Sequence, residues 1–359
     1  MNTELTILQD KLNTLLTKKL QSNDSVFEKI ETDQNLLEDF ILPLGAGNEL
    51  EFANTENSLK MIVNGEAYDL HNNAQYQLGD KMGVPAKYLV GLTESEWGRD
   101  LAAKILNEHK ENIARQRVLV RTIGNQARAV LSDHYKRMNS GQIYSEFIKA
   151  VQSQGAIFYD AAYSETKSYL SAVLPKVIEI PTLNNGNVYS VFGARLSNSD
   201  FGDGALEVRA FQMNVVCLNG MVAESAFKKI HLGGRISDNY ELSSRTYELN
   251  SRTMASAIKD ISSNILDVSV IQKNALSIQA ASAKEIEIDT EIKKLPKLGM
   301  YKSEVKQVEK KLMESNPDDG VVGKPSLWKL SQSITSVAND IGGRRMQELA
   351  ELSGKLILK

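Results

Sequence analysis

Apolar positions recur at three- and four-residue intervals toward both ends of the chain and at two-residue intervals through its middle. At the N-terminus Leu5, Leu8, Leu12 and Leu15, flanked by Ile7 and Leu16, form a helical stripe. Asn23-Asp24-Ser25 breaks it and caps a second helix over 26–41, which Pro43 and the Gly45/Gly47 pair end. Leu59, Met61 and Val63 alternate ahead of Asn64-Gly65, predicting two short strands over 48–70. A short helix from Asn73, a stop at Gly83 and a helix from Pro85 follow. This order is reminiscent of a helix-turn-helix, but the second helix lacks a basic reading face, so plain helical packing is the stronger reading. Thr93-Glu94-Ser95-Glu96 has capping-box spacing and predicts a helix over 94–112.

The run 113–137 combines a core-like pattern with many cations. Gly124-Asn125 is a two-residue turn signal between β-rich runs, which predicts a hairpin. With that loop, Ile123 faces Gln126, Arg121 faces Arg128, Leu119 faces Val130 and Arg117 faces Ser132. Alternation then puts Arg117, Arg121 and Arg128 on one face and Val118, Val120, Ala129 and Leu131 on the core face. Two opposed arginines repel, and no Asp or Glu lies between Ile113 and Ser132 to relieve them. Either carboxylates from elsewhere in the fold pair with them, or an external polyanion does.

Downstream, Ser140 caps a helix with Ile143, Phe147, Ala150 and Val151 on one face. Strand-like runs follow over 156–163, 167–174, 188–196 and 206–216, with a Pro- and Asn-rich loop at 181–187. From Leu242 the period returns to that of a helix. Met254, Ile258, Ile261, Ile265 and Val268 make a short heptad seam. More helix is expected over 282–293 and 301–314, and after the Ser326 cap. The reading is an α+β fold with a mostly antiparallel sheet. It divides into an N-terminal helical segment (1–47), an α+β core domain carrying the basic hairpin (48–241) and a helical C-terminal region (242–359).

Composition narrows the partners. The 359 residues carry a net charge of −3, so a nucleic-acid site must be a local patch. One cysteine, Cys217, excludes an intrachain disulfide and fits a reducing cytoplasm. No run reaches the roughly 18 apolar residues of a membrane span, and the N-terminus lacks a signal-peptide pattern. The four histidines are scattered, and no zinc spacing can be written.

Candidate chemistry lies in three places. The loop S-N-S-D-F-G-D-G (197–204) sets Asp200 and Asp203 beside glycines, as an Asx-rich turn or as a metal or phosphate loop with Glu207. Cys217 reads as a packed core residue, with His231 the nearest base in sequence for a nucleophilic dyad. Lys228, Lys229, His231 and Arg235, around Gly233-Gly234, form a second basic cluster. Phosphate-loop, dinucleotide, serine-hydrolase and zinc-protease motifs are absent. Tyr135, Tyr144, Phe158, Tyr159 and Tyr163 lie near the basic runs, as single-stranded nucleic acid requires of its stacking partners, and Tyr135 is expected to be the exposed one.

The segments VRTIGNQARAVLSDHYK (120–136), SNSDFGDGA (197–205), FQMNVVCLNGM (211–221) and KPSLWKLSQSIT (324–335) resemble the phage/plasmid-like protein family called domain of unknown function 932, over roughly residues 50–345. The resemblance implies a protein of a phage, prophage or plasmid acting inside bacteria, and it carries no catalytic residues. The expected function is binding of single-stranded DNA in recombination or replication, as a cytoplasmic homo-oligomer that resembles ring-forming single-strand annealing proteins in outline. Arg115, Arg117, Arg121, Arg128, Lys136 and Arg137 are the expected phosphate contacts, with Lys228, Lys229 and Arg235 beside them and Tyr135 stacking a base. The N-terminal stripe and the Met254–Val268 seam are the expected self-association surfaces. No cofactor is called for. Two alternatives stay open: a metal-dependent enzyme acting on nucleic acid or nucleotide through Asp200 and Asp203, and a non-catalytic structural or partner-binding protein whose arginines pair internally.

Overall fold

The hairpin forms where the turn signal placed it, with a register that changes its meaning. Strands β5 (Arg117–Ile123) and β6 (Gln126–Ser132) are antiparallel, and Ile123 faces Gln126. A bulge between Arg121 and Thr122 then shifts the ladder, so that Arg121 faces Ala129, Leu119 faces Leu131 and Val118 faces Ser132. The extra residue is Arg128, which leaves the pairing. The expected confrontation of Arg121 with Arg128 is removed by this bulge. The hairpin also has two buried faces, so the single core face expected for it is corrected. Val118, Val120, Ala127 and Val130 enter one core, and Leu119, Ile123, Ala129 and Leu131 enter another.

The structure is a computed structural model and describes residues 3–44, 50–55, 57–111, 117–218, 220–229, 231, 243–314, 316 and 321–358. A first sheet has the order β1-β5-β6-β4-β3-β2, with β1 (Leu37–Pro43), β2 (Leu50–Thr55), β3 (Ser58–Val63) and β4 (Glu66–Leu70). Its pairings are antiparallel except β4 with β6. Helices α2 (Asn72–Met82), α3 (Ala86–Leu92) and α4 (Glu96–Glu111) cover one face. Gly83, at φ 68°, ends α2 in the left-handed conformation that only glycine adopts without cost. Ser95, rather than Thr93, accepts the Gly98 backbone N–H at the start of α4, so that helix begins later than the capping-box spacing predicts.

A second sheet runs β12-β11-β10-β8-β7, with β9 (Ile178–Pro181) also on β10. It comprises β7 (Ile157–Tyr163), β8 (Ser168–Val173), β10 (Asn187–Asn198), β11 (Leu206–Asn214) and β12 (Gly220–Lys229), all antiparallel. The fold is α+β, with packed helices and a helical C-terminal region. Helix α5 (Ser140–Ser153) and the C-terminal α6 (Ser244–Ile265) lie on the sheet face that carries Ala194, Leu196 and Val208. Helix α7 (Val268–Ala283) joins that core. Helices α8 (Ile288–Ile292), α9 (Lys302–Met313), α10 (Leu327–Ile341) and α11 (Gly343–Ile357) close the chain. Ser326 caps α10 by accepting the Lys329 N–H, as its position predicts.

The N-terminal expectation is corrected. A single helix, α1 (Thr3–Asn35), runs through Asn23-Asp24-Ser25, and 37–43 form strand β1 rather than helix. Strand β1 pairs with β5 along its length, and this tertiary pairing overrides the local helical pattern. The stripe residues Leu8, Leu12 and Leu16 are buried against Val191, Phe211 and Met213 of the second sheet. Ile258 and Ile265 lie in the core with α5, and Met254 and Ile261 pack against it. Most of both expected self-association surfaces is thus packed within the chain, with Ile7 and Val268 left exposed.

Candidate nucleic-acid interface

The two central arginines of the hairpin are committed to the chain itself. Arg121 is 0% exposed. Its Nε donates to Asp39 Oδ1 at 2.7 Å, its Nη1 to the Asp200 carbonyl at 2.8 Å and its Nη2 to Asn139 Oδ1 at 2.8 Å. Burial alone would lower its pKa, but Asp39 and Asp200 outweigh that and hold it raised. Arg128, displaced by the bulge, donates from Nη1 to Asp33 Oδ2 at 2.6 Å and from Nε to Gln126 Oε1 at 2.9 Å. Its guanidinium also lies over the Phe201 ring at 5.8 Å. Neither arginine has a face left for a phosphate, and their expected contacts are corrected. The relieving carboxylates come from α1 and β1, next to each other in sequence and far from the hairpin.

Tyr135 is corrected too. It is buried, donates its hydroxyl to the Ser199 carbonyl at 2.9 Å and stacks on the His231 ring at 4.8 Å. Burial pushes its phenol pKa up, and its ring is already stacked on His231. His231 donates from Nδ1 to the Lys136 carbonyl at 3.0 Å, and its Nε2 lies 3.0 Å from Asn198 Oδ1. Burial pushes its pKa down to about 4. Cys217 Sγ faces Gln332 Oε1 at 3.9 Å, so the Cys217–His231 dyad does not form.

The loop carboxylates are equally occupied. Asp200 accepts from the Ser140 N–H, Asn198 Nδ2 and Gln34 Nε2, and burial raises its pKa despite Arg121. Asp203 takes Arg344 through both Nη atoms, at 2.8 and 3.1 Å, and Thr166 Oγ1 at 2.7 Å. Glu207 bonds Arg209 and Lys228, and these bonds outweigh burial to hold its pKa down. Among the described residues no three His, Cys, Asp or Glu side chains converge as a metal site would require.

The remaining expected contacts are more open. Lys136, Lys229 and Arg117 are half-buried, and Lys228 is exposed with its Nζ on Glu207. Arg115 and Arg235 lie outside the described residues. Arg137 sits with Asp39 Oδ2 at 3.3 Å and its guanidinium 4.6 Å from the Tyr247 ring of α6. It opens onto a concavity between α5 and α6.

That concavity is a trough in two joined parts, of about 550 and 530 Å³, which share Gly141 and Gln142 at the start of α5. Gln34, Asp39, Arg137 and Asn139 line one end, with Tyr247, Glu248 and Ser251 of α6. Lys149 of α5 and Arg252, Ser256 and Lys259 of α6 line the other. Each helix turns its apolar stripe into the core and a polar stripe outward, and the two polar stripes face each other. Four cations and three carboxylates border the trough. Lys149 pairs with Glu146 at 2.8 Å and Arg252 with Glu248 at 2.6 Å, both within their own helix, and Lys259 has no carboxylate partner among the described residues. Sequence reading missed every trough cation except Arg137. The sole signal was polar spacing at i, i+4 along two separate helices, and nothing in one dimension says that those stripes meet.

No family model, curated protein or solved structure matches this chain.

Proposed function

We propose that the protein binds single-stranded nucleic acid, single-stranded DNA in the first place, along the trough between α5 and α6, without catalysis. The carrying observation is the contrast between two kinds of cation. Arg121 and Arg128 are buried in ion pairs, and breaking such a pair costs about 3–5 kcal/mol, so they stay with their own carboxylates. Arg252 and Lys149 are 68% and 63% exposed, and pairs of that kind contribute about 0–1 kcal/mol. A phosphate can replace Glu248 or Glu146 at little cost, and Lys259 needs no replacement at all. Gln142 supplies an amide for base edges, and Tyr247 supplies a ring beside Arg137. The mobile-element setting belongs to the same proposal and rests on the sequence motifs; self-association as an annealing oligomer, also part of it, must use a surface other than the buried parts of the N-terminal stripe and the Met254–Val268 seam.

The internal pairing of Arg121 and Arg128 favours the competing reading, a partner-binding protein with no affinity for DNA. Fluorescence anisotropy with labelled single-stranded and duplex DNA at two salt concentrations separates the two, with light scattering on the same sample. We expect salt-sensitive binding that prefers the single strand. The combined Lys149→Ala, Arg252→Ala and Lys259→Ala variant should weaken it at least about tenfold and flatten the log–log salt slope by about 0.7 per lost contact. Absence of binding at low salt, or a variant indistinguishable from the parent, refutes the trough and leaves the partner-binding reading.

A further inference from the structure

We propose a second binding site, on the opposite face of the second sheet, for a small carboxylate-bearing molecule held by Arg195. Arg195 is on β10, whose Ala194 and Leu196 face α5 and α6. Alternation sends Arg195 to the other face, with Val191, under α1 and α11. It lines a cavity of about 250 Å³ together with Lys19, Tyr159, Asp160, Phe211 and Gln347.

Arg195 is unlike the other buried arginines. It is 4% exposed, and among the described residues no carboxylate lies within ion-pair distance of it. Its Nε donates to Ser171 Oγ at 2.8 Å and its guanidinium lies 4.9 Å from the Phe211 ring, but its Nη1 has no hydrogen-bond partner. The nearby carboxylates are taken: Asp160 by Lys19 at 3.1 Å, and Glu351 by Arg209 at 3.1 Å. Lys19 balances Asp160, and Arg209 with Lys228 balances Glu351 and Glu207, so the cavity wall keeps one positive charge with no carboxylate at ion-pair distance, buried where an unpaired charge is costly. The Gln347 carboxamide of α11 is 2% exposed, and its Oε1 is also without a partner. At the rim, Leu218 holds φ 59°, a strained conformation for a leucine and of a kind that gathers at ligand sites.

The unmet groups define the occupant. One positive charge asks for a monoanion, and a planar guanidinium with a free edge suits a carboxylate. An unsatisfied amide oxygen asks for a hydrogen-bond donor on the same molecule, as a hydroxy or amino acid carries. The stem of Phe211 and Leu218 leaves room for a short apolar body. Occupancy ties α11 and α1 to the sheet, so binding appears as stabilisation of the whole chain. The site is independent of the α5–α6 trough.

The test uses the full chain in chloride buffer at constant ionic strength, titrated by calorimetry and thermal unfolding with acetate, lactate and inorganic phosphate. We expect saturable binding of the carboxylates, with lactate tighter than acetate because it adds the donor for Gln347. Gln347→Leu should remove that preference while leaving acetate binding intact. Arg195→Met should abolish binding of both and unfold at a higher temperature than the parent in the chloride buffer without added carboxylate or phosphate, because the unpaired charge is gone. Phosphate binding without carboxylate binding overturns the assignment of the ligand class. Failure of all three to bind the parent overturns the site, as does an unfolding temperature of Arg195→Met below that of a parent indifferent to anions. The combined trough variant should bind lactate like the parent, so the two proposals fail separately.

Discussion

Replacing Arg121 by alanine tests whether the hairpin arginines support the fold or contact a ligand. Arg121 is fully buried and donates to Asp39, to Asn139 and to the Asp200 carbonyl. Its removal strands two carboxylates to different degrees. Asp39 keeps Arg137 at 3.3 Å and stays partly solvated, so most of its compensation survives. Asp200 is enclosed, its pKa is already raised by burial, and it loses the nearest positive charge. Removing one partner of a buried pair costs about 3–5 kcal/mol, and the surviving Arg137 contact puts this case near the lower end, at about 3 kcal/mol. With a urea m-value of about 3 kcal/mol/M or more for a chain of this size, the unfolding midpoint should fall by up to about 1 M. Urea unfolding followed by circular dichroism measures this. Anisotropy on the folded variant in the same buffer measures DNA binding, and its salt slope should match the parent's. A variant of parental stability whose slope falls by about 0.7 would show a lost phosphate contact and refute the internal role.

Three further outcomes follow, two from packing and one from burial. Gly354→Ala would place a Cβ 1.9 Å from the Val222 carbonyl oxygen, so α11 must move off β12; we expect a loss of about 1–3 kcal/mol or more in urea unfolding. Gly91→Ala in α3 meets nothing within 4 Å and should be neutral or stabilising by up to about 1 kcal/mol. His231, pushed down to about 4 by burial and then by Arg121, stays neutral in the native state while the unfolded chain takes up a proton below about pH 6.5. Its contribution is therefore intact above about pH 6.5 and lost as the pH falls toward 4, by about 3 kcal/mol in all. His231→Gln should remove that part of the pH dependence between those limits, and an unchanged difference between parent and variant across the window would contradict the assignment.

Local structure was legible where pattern and punctuation agreed. The Asn64-Gly65 and Gly124-Asn125 turns, the Gly83 stop and the Ser326 cap all stand where the residues place them. The errors share one cause: a distant segment supplied what the local pattern lacked. Strand β1 reads as helix in isolation because its partner β5 lies some eighty residues away in sequence, as the Arg121–Asp39 separation of 82 shows. The Arg121 bulge is invisible to alternation, because one inserted residue preserves both apolar runs and changes only which side chains meet.

The same cause governs the site. A cation's position along the chain says what charge is present, and only topology says whether a carboxylate already answers it. Asp33 and Asp39 come from the N-terminal segment and answer Arg128 and Arg121, while Arg344 from the last helix answers Asp203. So the arginines concentrated in sequence are dispersed among internal partners, and three exchangeable cations of the trough, Lys149, Arg252 and Lys259, come from α5 and α6, where no run of basic residues marks them. Arg195 is the converse case. In sequence it is one arginine in an apolar strand, with nothing to distinguish it from Arg209. In the fold Arg209 meets Glu207 and Glu351 whereas Arg195 meets none, and that difference in partners separates a structural ion pair from a candidate ligand site.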